Sequence, residues 1–259
     1  MKKLFIFTFI TITTLKAHSF YEYKYKIYWK GILVGYSSLG IYGMIDCEKE
    51  QCYVLKAKAH NTKVLQYIYP VNNYAISYWN PKRRIPIYSE KSLNEGRYHR
   101  DQKTYFSFKT QEITWYQREF SGNVKNRQNV WKHKEGVTTL LPNTQDILSA
   151  IFFLQLSPHQ PKKEITFSIP LFDDTKLVEL KIHIVDQVEI ETHINNVKEK
   201  KRAWIVIPSF ETSGLFQSSG KITLWIHANP PREILKMRVQ IPYVGHVTTE
   251  LYEIRKLEF

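Results

Sequence analysis

The sequence predicts a mostly β fold: a long curved antiparallel sheet or open β-barrel wrapped around one buried helix at about residues 143–156. Two observations support this. Apolar and polar residues alternate in many short segments separated by turn residues, as in antiparallel strands that are buried on one face. One segment, 141–156, is instead apolar around nearly the whole circumference of a helix, which is typical of a helix inside a core.

The predicted helix has recognisable ends. Asn143 is predicted to cap its first turn, with Asp146 three residues on, and Ser157-Pro158 supplies the stop. Burial of its large apolar side chains would contribute on the order of 10 to 20 kcal/mol before entropy is subtracted. Phe153→Asp is therefore expected to abolish soluble expression.

The strands follow from period-2 alternation and from the turn residues between them. Gly35, Gly40 and Gly43 predict bending or close backbone approach in the second strand, and Asn195-Asn196 predicts a type I′ hairpin. Residues 64–69 remain ambiguous between a helical turn and a strand, and 157–163 is the best linker candidate. Strands are predicted at 21–30, 32–45, 53–59, 74–79, 85–93, 97–108, 112–120, 123–132, 165–169, 178–184, 204–210, 222–226, 235–241 and 246–254.

The N-terminus has the pattern of a secretory signal peptide. Lys2 and Lys3 precede an apolar run too short to span a membrane, and Ala17-His18-Ser19 offers small residues for a cut before Phe20. The predicted organisation is a signal peptide at 1–19 and a single β-rich exported domain at 20–259, located in the periplasm and not membrane-spanning. An uncleaved N-terminal anchor is the alternative.

The chain is basic. Three of its 37 Lys and Arg residues lie in 1–19, against 24 Asp and Glu residues in the whole chain, so residues 20–259 keep a formal charge of +10. For an exported protein, this charge favours an anionic membrane surface or an anionic envelope polymer over nucleic acid as partner. A solvated basic face without a partner is the other interpretation.

Cys47 and Cys52 are the only cysteines, and four residues separate them between two alternating segments. In an oxidising compartment they are predicted to form a structural disulfide across a hairpin loop, with free thiols as the alternative. Two thiols alone make a poor metal site, and no metal or cofactor is predicted.

The sequence contains no recognisable catalytic motif, and its few aspartates leave little material for paired-carboxylate chemistry. We therefore expect a protein that is not an enzyme, with no catalytic residues. His183 and His193 flank Asp186 and Glu189, which could form a weak metal site, but alternating exposed positions explain them equally well.

Aromatic residues make up 14% of the chain. Trp29, Phe152, Trp204 and Trp225 are candidates for the inner surface of the curved sheet, where they would either line a pocket for an apolar ligand or form a packed core. Both interpretations stay open.

Four segments in order resemble a known family: Y-K-I-Y-W-K-G-I-L-V-G-Y from Tyr25, L-P-N-T-Q-D-I-L-S-A-I-F-F-L from Leu141, S-G-K-I-T-L-W-I-H-A-N-P-P-R-E-I-L-K-M from Ser219, and V-G-H-V-T-T-E-L from Val244. Together they are similar to the exported bacterial domain-of-unknown-function 3108 family, over nearly the whole of residues 21–258. The resemblance implies a periplasmic, mostly antiparallel β protein and no established activity. Asn229 stands where an acidic residue is usual in that family.

Two functions are compatible with these predictions. One is a periplasmic binding module or carrier for an apolar or amphiphilic envelope molecule, a lipid or polymer intermediate. The other is a non-catalytic structural or assembly factor that binds another envelope protein through its edge strands and basic face.

Overall fold

A computed structural model describes residues 20–47, 49–121, 130–156, 161–210, 221–241 and 245–258. The predicted signal peptide, the first part of the strand predicted at 123–132, and the start of the linker candidate all lie outside the described residues.

Within these described residues, fourteen strands form one antiparallel sheet. The strands run along the sheet in the order β8-β7-β6-β5-β4-β3-β2-β1-β14-β13-β12-β11-β10-β9, so the first and last strands of the chain are neighbours at its centre. This confirms the predicted fold class. Their bounds are β1 Phe20–Trp29, β2 Ile32–Cys47, β3 Glu50–Asn61, β4 Asn72–Asn80, β5 Ile85–Glu95, β6 Tyr98–Ser107, β7 Glu112–Ser121, β8 Val130–Thr139, β9 Ile165–Asp173, β10 Lys176–Ile194, β11 Val197–Phe210, β12 Ile222–His227, β13 Ile234–Ile241 and β14 Gly245–Leu257.

The predicted Asn-Asn turn and two of the predicted glycine positions are observed in the structure. Asn195 and Asn196 both have positive φ, 51° and 64°, which confirms the type I′ hairpin between β10 and β11. The predicted close approach is confirmed at Gly40, where an added Cβ would lie 2.5 Å from the carbonyl oxygen of Tyr21. At Gly35 it would lie 2.6 Å from the carbonyl oxygen of His60. Side chains there would push neighbouring strands apart.

The central helix, α2, spans Ile147–Gln155 and begins later than the sequence predicted. The cap predicted at Asn143 is wrong: Asn143 has φ +61° in a preceding turn, and the cap is Asp146. The Asp146 carboxylate accepts hydrogen bonds from the amides of Leu148 and Ser149 at 2.8 and 2.9 Å, while Ser149 Oγ accepts one from the Asp146 amide. Ser149 thus takes the place of Glu in a capping box.

The segment before α2 connects the edge strand β9 to β4 in the other half of the sheet. Gln145 forms a parallel bridge with Leu171 of β9: its amide donates to the Pro170 carbonyl at 2.9 Å, and its carbonyl accepts from the Phe172 amide at 2.8 Å. The Gln145 side chain accepts a hydrogen bond from Trp79 Nε1 in β4. The distal end of β9 is therefore held against the middle of the other half of the sheet.

The core lies between the concave face of the sheet and α2. Leu148, Ala150 and Phe152 point into it and are at most 3% exposed. The helix is not buried all round, however. Ile147 and Leu156 are exposed, and Ile151, Phe153 and Leu154 are half-buried. Ile151, Phe153 and Leu154 therefore pack against the edge of the core and remain partly accessible.

The ambiguous segment at 64–69 is a short helix, α1, at Lys63–Ile68, between β3 and β4. It has no buried residue. Across the described ranges, no helix is long and apolar enough to cross a membrane.

Candidate ligand-binding site

An apolar cavity of about 300 Å³ lies between α2 and strands β9 to β12, at the edge of the core. This volume is at the lower end of the range for small-molecule sites, roughly 300 to 1,000 Å³. Phe153 and Leu154 form the helix wall. The sheet wall is an inward-facing apolar row, which comprises Ile165, Phe167, Ile182, Ile184, Trp204, Val206 and Ile226.

Strand register explains how the sheet wall forms. Ile184 lies opposite Ile165 on one side and Val206 on the other, so three strands contribute to one row. Trp204 lies opposite Ile226 in the next pair. The alternation that predicted these strands therefore also makes the wall, because residues two apart on a strand share a face.

Basic residues surround the apolar wall. Arg84, Lys162 and Arg232 all line the cavity. Lys162 is exposed, whereas Arg232 is only 3% exposed, and its desolvation lowers the pKa of its guanidinium. A site with apolar walls and cationic groups suits a molecule that carries an apolar part and an anionic part.

The turn between β4 and β5 positions Arg84. Asn80 Oδ1 accepts hydrogen bonds from the amides of Lys82 and Arg83 at 3.0 and 2.9 Å, and the Arg84 amide donates to the Asn80 carbonyl at 2.7 Å. Gln145 Nε2 then donates to the Arg84 carbonyl at 2.7 Å. The Arg84 backbone is therefore fixed from two sides, and its guanidinium carbon lies 4.3 Å from the centroid of the Phe153 ring.

Trp204, one of the wall residues, has a buried indole N–H group without a hydrogen-bond acceptor among the described residues. An unsatisfied buried donor costs free energy, on the order of 1 to 3 kcal/mol. A bound molecule with an acceptor within reach would remove that cost.

A buried polar group adjoins the cavity at the turn between β12 and β13. Glu233, next to Arg232, is 3% exposed, and its Oε1 lies 3.1 Å from His227 Nδ1.

Burial, together with the charge of Glu233, raises the pKa of the phenols of Tyr23 and Tyr25 in β1. These tyrosines therefore stay neutral at physiological pH and are not ready nucleophiles or bases.

The four aromatic residues predicted to line a pocket are not brought together. Trp204 lies in the cavity wall, while Phe152 packs in the core at 1% exposure. Trp225 pairs with Ile205, the neighbour of Trp204, so its ring faces the opposite side of the sheet, with Arg238 5.8 Å from its centroid. Trp29 ends β1 and is 39% exposed.

The two cysteines lie on neighbouring strands β2 and β3 and are both buried, at 8% and 0% exposure. Cys47 pairs with Glu50 and Cys52 with Ile45, so the two thiols are diagonal neighbours on one face. The disulfide stays a prediction.

A group of metal ligands is not assembled in the part of the chain that the structure describes. No three His, Cys, Asp or Glu side chains there could hold a metal ion together. His183, one of the residues in the weak metal-site alternative, has its Nδ1 2.8 Å from the Thr166 hydroxyl on an exposed face.

Sequence reasoning missed Arg84, Arg232 and the cavity role of Phe153. Arg84 stands in the local basic run Lys82-Arg83-Arg84, whose charge alone does not indicate which of its residues lines a cavity. Arg232 and Glu233 follow Pro230-Pro231 between two alternating strands. A charged pair directly after a proline turn is the sequence feature that could have indicated a functional position here. Phe153 was assigned to the core because composition alone cannot separate a buried helix face from a cavity-lining one.

Comparison with solved structures shows a fold seen before. A β-barrel-like protein of domain of unknown function DUF1849 from Brucella abortus superposes with a TM-score of 0.54 at 8% identity, over 93% of this chain and 99% of that one. A putative exported protein with a YmcC-like fold from Bacteroides fragilis gives a TM-score of 0.37 at 7% identity, over 91% and 95% of the two chains. The first similarity shows the fold alone.

Sequence comparison gives the family. No curated protein matches the chain. The family model described as protein of unknown function (DUF3108) matches residues 24–252, which include parts of all fourteen strands and both helices. The chain therefore belongs to the DUF3108 family of proteins of unknown function.

Proposed function

We propose that this protein is a non-catalytic periplasmic binding protein for an amphiphilic envelope molecule, with one acyl or other alkyl chain and an anionic group. The observation that carries the proposal is the cavity beside α2, where a continuous apolar wall meets Arg84, Lys162 and Arg232. The pattern of the N-terminal 19 residues supports export to the periplasm.

The cavity chemistry supports a single chain better than a large lipid. At about 300 Å³ the cavity has room for one slender apolar group, and the rest of the molecule would extend past the mouth. Lys163 is already paired with Asp186 at 3.2 Å, whereas Lys162 lines the cavity and is exposed. Lys162 and Arg84 are therefore the residues we assign to the anionic group.

The alternative, an assembly factor that extends its sheet into a partner, has less support. β8 is one edge of the sheet, and its exposed residues include Lys132, His133, Lys134 and Glu135. Charged side chains along an edge disfavour addition of another strand. At the other edge, Gln145 already occupies the Leu171 region of β9.

The test is to identify what the exported protein carries. The protein is purified from the periplasm of its own cell without detergent, and its native mass is compared with the mass after organic extraction. We expect a stoichiometric mass difference that corresponds to a single-chain acidic amphiphile in the extract. An unchanged mass, together with no uptake of an added long-chain fatty acid, would contradict the proposal.

A further inference from the structure

One end of the sheet carries a cluster of strongly exposed apolar side chains, which we call the apolar tip. Its most exposed members lie on α1, where Tyr67 is 92%, Ile68 78% and Val64 72% exposed. Three further residues complete it: Tyr69 at 54%, Ile32 at 65% and Trp29 at 39% exposure. Single exposed apolar residues are ordinary, but six at one end of a molecule indicate an interaction site.

Strand register places these residues together. The turn after Trp29 joins β1 to β2, and Gly35 near the start of β2 pairs with Asn61 at the end of β3. The Thr62 amide donates to the Val34 carbonyl at 2.9 Å, so α1 starts beside the β1–β2 turn. The tip is thus formed by two neighbouring connections at the same end of the sheet.

The fold holds α1 out from the body. Asn61 Nδ2 donates to the Tyr69 carbonyl at 2.6 Å and Asn61 Oδ1 accepts from the Val71 amide at 3.2 Å, which closes the connection at its base. The Gly96 amide donates to the Pro70 carbonyl at 2.8 Å on the other side. With both ends fixed, the apolar residues of this six-residue helix cannot turn into the core.

Three exposed basic residues of the described chain lie beside the tip. Lys30 follows Trp29, with its ammonium 5.2 Å from the indole centroid, and Lys63 begins α1. Arg97 lies in the turn between β5 and β6, next to Gly96. Aromatic and aliphatic residues flanked by Lys and Arg are the composition of protein surfaces that enter the interface of a bilayer with anionic lipids.

We propose that the apolar tip docks this protein on an anionic lipid bilayer, with Tyr67, Ile68 and Val64 inserted among the headgroups and Lys30 and Lys63 at the lipid phosphates. The tip suits a bilayer better than a protein partner. A stable protein interface buries about 800 Å² per partner on complementary surfaces, which a protruding six-residue helix with two turns beside it does not offer.

Docking there would leave the ligand cavity accessible. β4 runs from the α1 end at Asn72 to Asn80 near Arg84, and its 9 residues span about 30 Å. The tip and the cavity thus lie at opposite ends of β4, and this inference does not depend on the proposed ligand.

The experiment measures co-sedimentation of the exported protein with vesicles of phosphatidylglycerol and phosphatidylcholine, and with vesicles of phosphatidylcholine alone. We expect binding to the anionic vesicles that weakens with salt. Tyr67→Ser/Ile68→Ser should lower the partition coefficient at least about tenfold through lost apolar insertion. Lys30→Gln/Lys63→Gln should lower it on anionic vesicles only.

Val197→Ser is the matched control, because Val197 is 56% exposed at the β10–β11 turn, away from the tip. It should bind vesicles like the unmodified protein, and all variants should keep the same unfolding midpoint. Equal binding by Tyr67→Ser/Ile68→Ser and by the unmodified protein would overturn the proposal. The absence of vesicle binding would also overturn the proposal. This holds as well if a photo-crosslinker at position 67 captures a periplasmic protein, because the tip would then be a protein-binding surface.

Discussion

The Arg84 guanidinium carbon lies 4.3 Å from the centroid of the Phe153 ring, and both side chains line the same cavity. One residue earlier, Arg83 stacks in the same way on Phe108, at 4.4 Å, and pairs with Glu50, but neither Arg83 nor Phe108 lines the cavity. The β4–β5 turn thus offers two cation–π pairs of similar geometry, of which one faces the proposed site. Arg83 is therefore a matched control for substitutions of Arg84.

Arg84→Gln should weaken binding of a long-chain fatty acid at least about tenfold, because a charge-assisted hydrogen bond contributes roughly 1.5 to 3 kcal/mol. It should leave binding of the fatty alcohol of the same chain length nearly unchanged. Arg83→Gln should change neither affinity. Displacement of a fluorescent fatty acid by each compound measures this, and equal losses for acid and alcohol would remove Arg84 from the anion site.

Truncation to alanine should lower the free energy of unfolding much more at Phe152 than at Phe153. Adjacent helical residues point about 100° apart, and Phe152 is 1% exposed in the core whereas Phe153 is half-buried at the cavity. Phe152→Ala should lower the free energy of unfolding by about 3 to 5 kcal/mol and Phe153→Ala by less than half of that. Urea denaturation of the two variants decides it, and equal costs would place Phe153 in the core after all.

The same geometry changes the expectation for Phe153→Asp. An aspartate at 153 would stand beside Arg84 at a half-buried position that lines the cavity. We therefore expect this variant to be soluble and folded but to have lost affinity for the acidic ligand, since the new carboxylate would pair with Arg84 and repel an anion. Circular dichroism and the displacement assay check the two halves of this prediction.

Asp146 should give stability a measurable pH dependence. Its burial raises the pKa of the carboxyl above its ordinary value, against the opposing hydrogen bonds from Ser77 and the helix amides. The folded state therefore binds the proton more tightly than the unfolded state, and this stabilisation, present at low pH, is lost as pH rises through the folded pKa.

Asp146→Asn keeps an acceptor for the cap and cannot ionise. The free energy of unfolding of Asp146→Asn relative to the unmodified protein should thus increase from about pH 3 to about pH 7. Asp146→Ala should be destabilised by about 1 to 3 kcal/mol at every pH, because the helix amides and Ser77 lose their acceptor. A relative stability of Asp146→Asn that does not change with pH would show that burial does not perturb this carboxyl.

Cys47 and Cys52 should be bonded in the exported protein. Both side chains are buried on one face of the β2–β3 hairpin. Only four residues separate the two cysteines, so the bond would close a short loop and constrain little chain entropy. Alkylation without reduction, followed by mass spectrometry, should leave both cysteines unmodified under denaturing conditions. Two alkylated thiols in periplasmic material would contradict the disulfide.

The alternation of apolar and polar residues predicted the sheet well because one face of each strand is buried and the other faces solvent. The Asn195-Asn196 turn and the close approaches at Gly35 and Gly40 followed from backbone chemistry that each residue carries by itself. The start of α2 did not follow in the same way. Asn143 and Asp146 are both good caps locally, and the choice of Asp146 depends on its bond from Ser77 in β4, a residue 69 positions away.

The candidate site was less predictable for a related reason. Trp204 and Trp225 look alike in the alternation of their strands, yet β11–β12 register sets them on opposite faces. Arg84 and Arg232 reach the cavity from turns whose positions depend on the curvature of the whole sheet. Local pattern identifies which strands have an apolar face, but it does not identify which loops meet over that face.

The most direct test of the central claim is calorimetric titration of the purified protein, after organic extraction, with a long-chain fatty acid, in comparison with Leu154→Trp. Leu154 is half-buried on the helix wall of the cavity, so the larger indole ring of a tryptophan there would occupy cavity space. We predict one binding site in the unmodified protein and an affinity at least about tenfold weaker in Leu154→Trp, with the unfolding midpoint unchanged. No binding by the unmodified protein, or equal binding by the filled variant, would contradict the account.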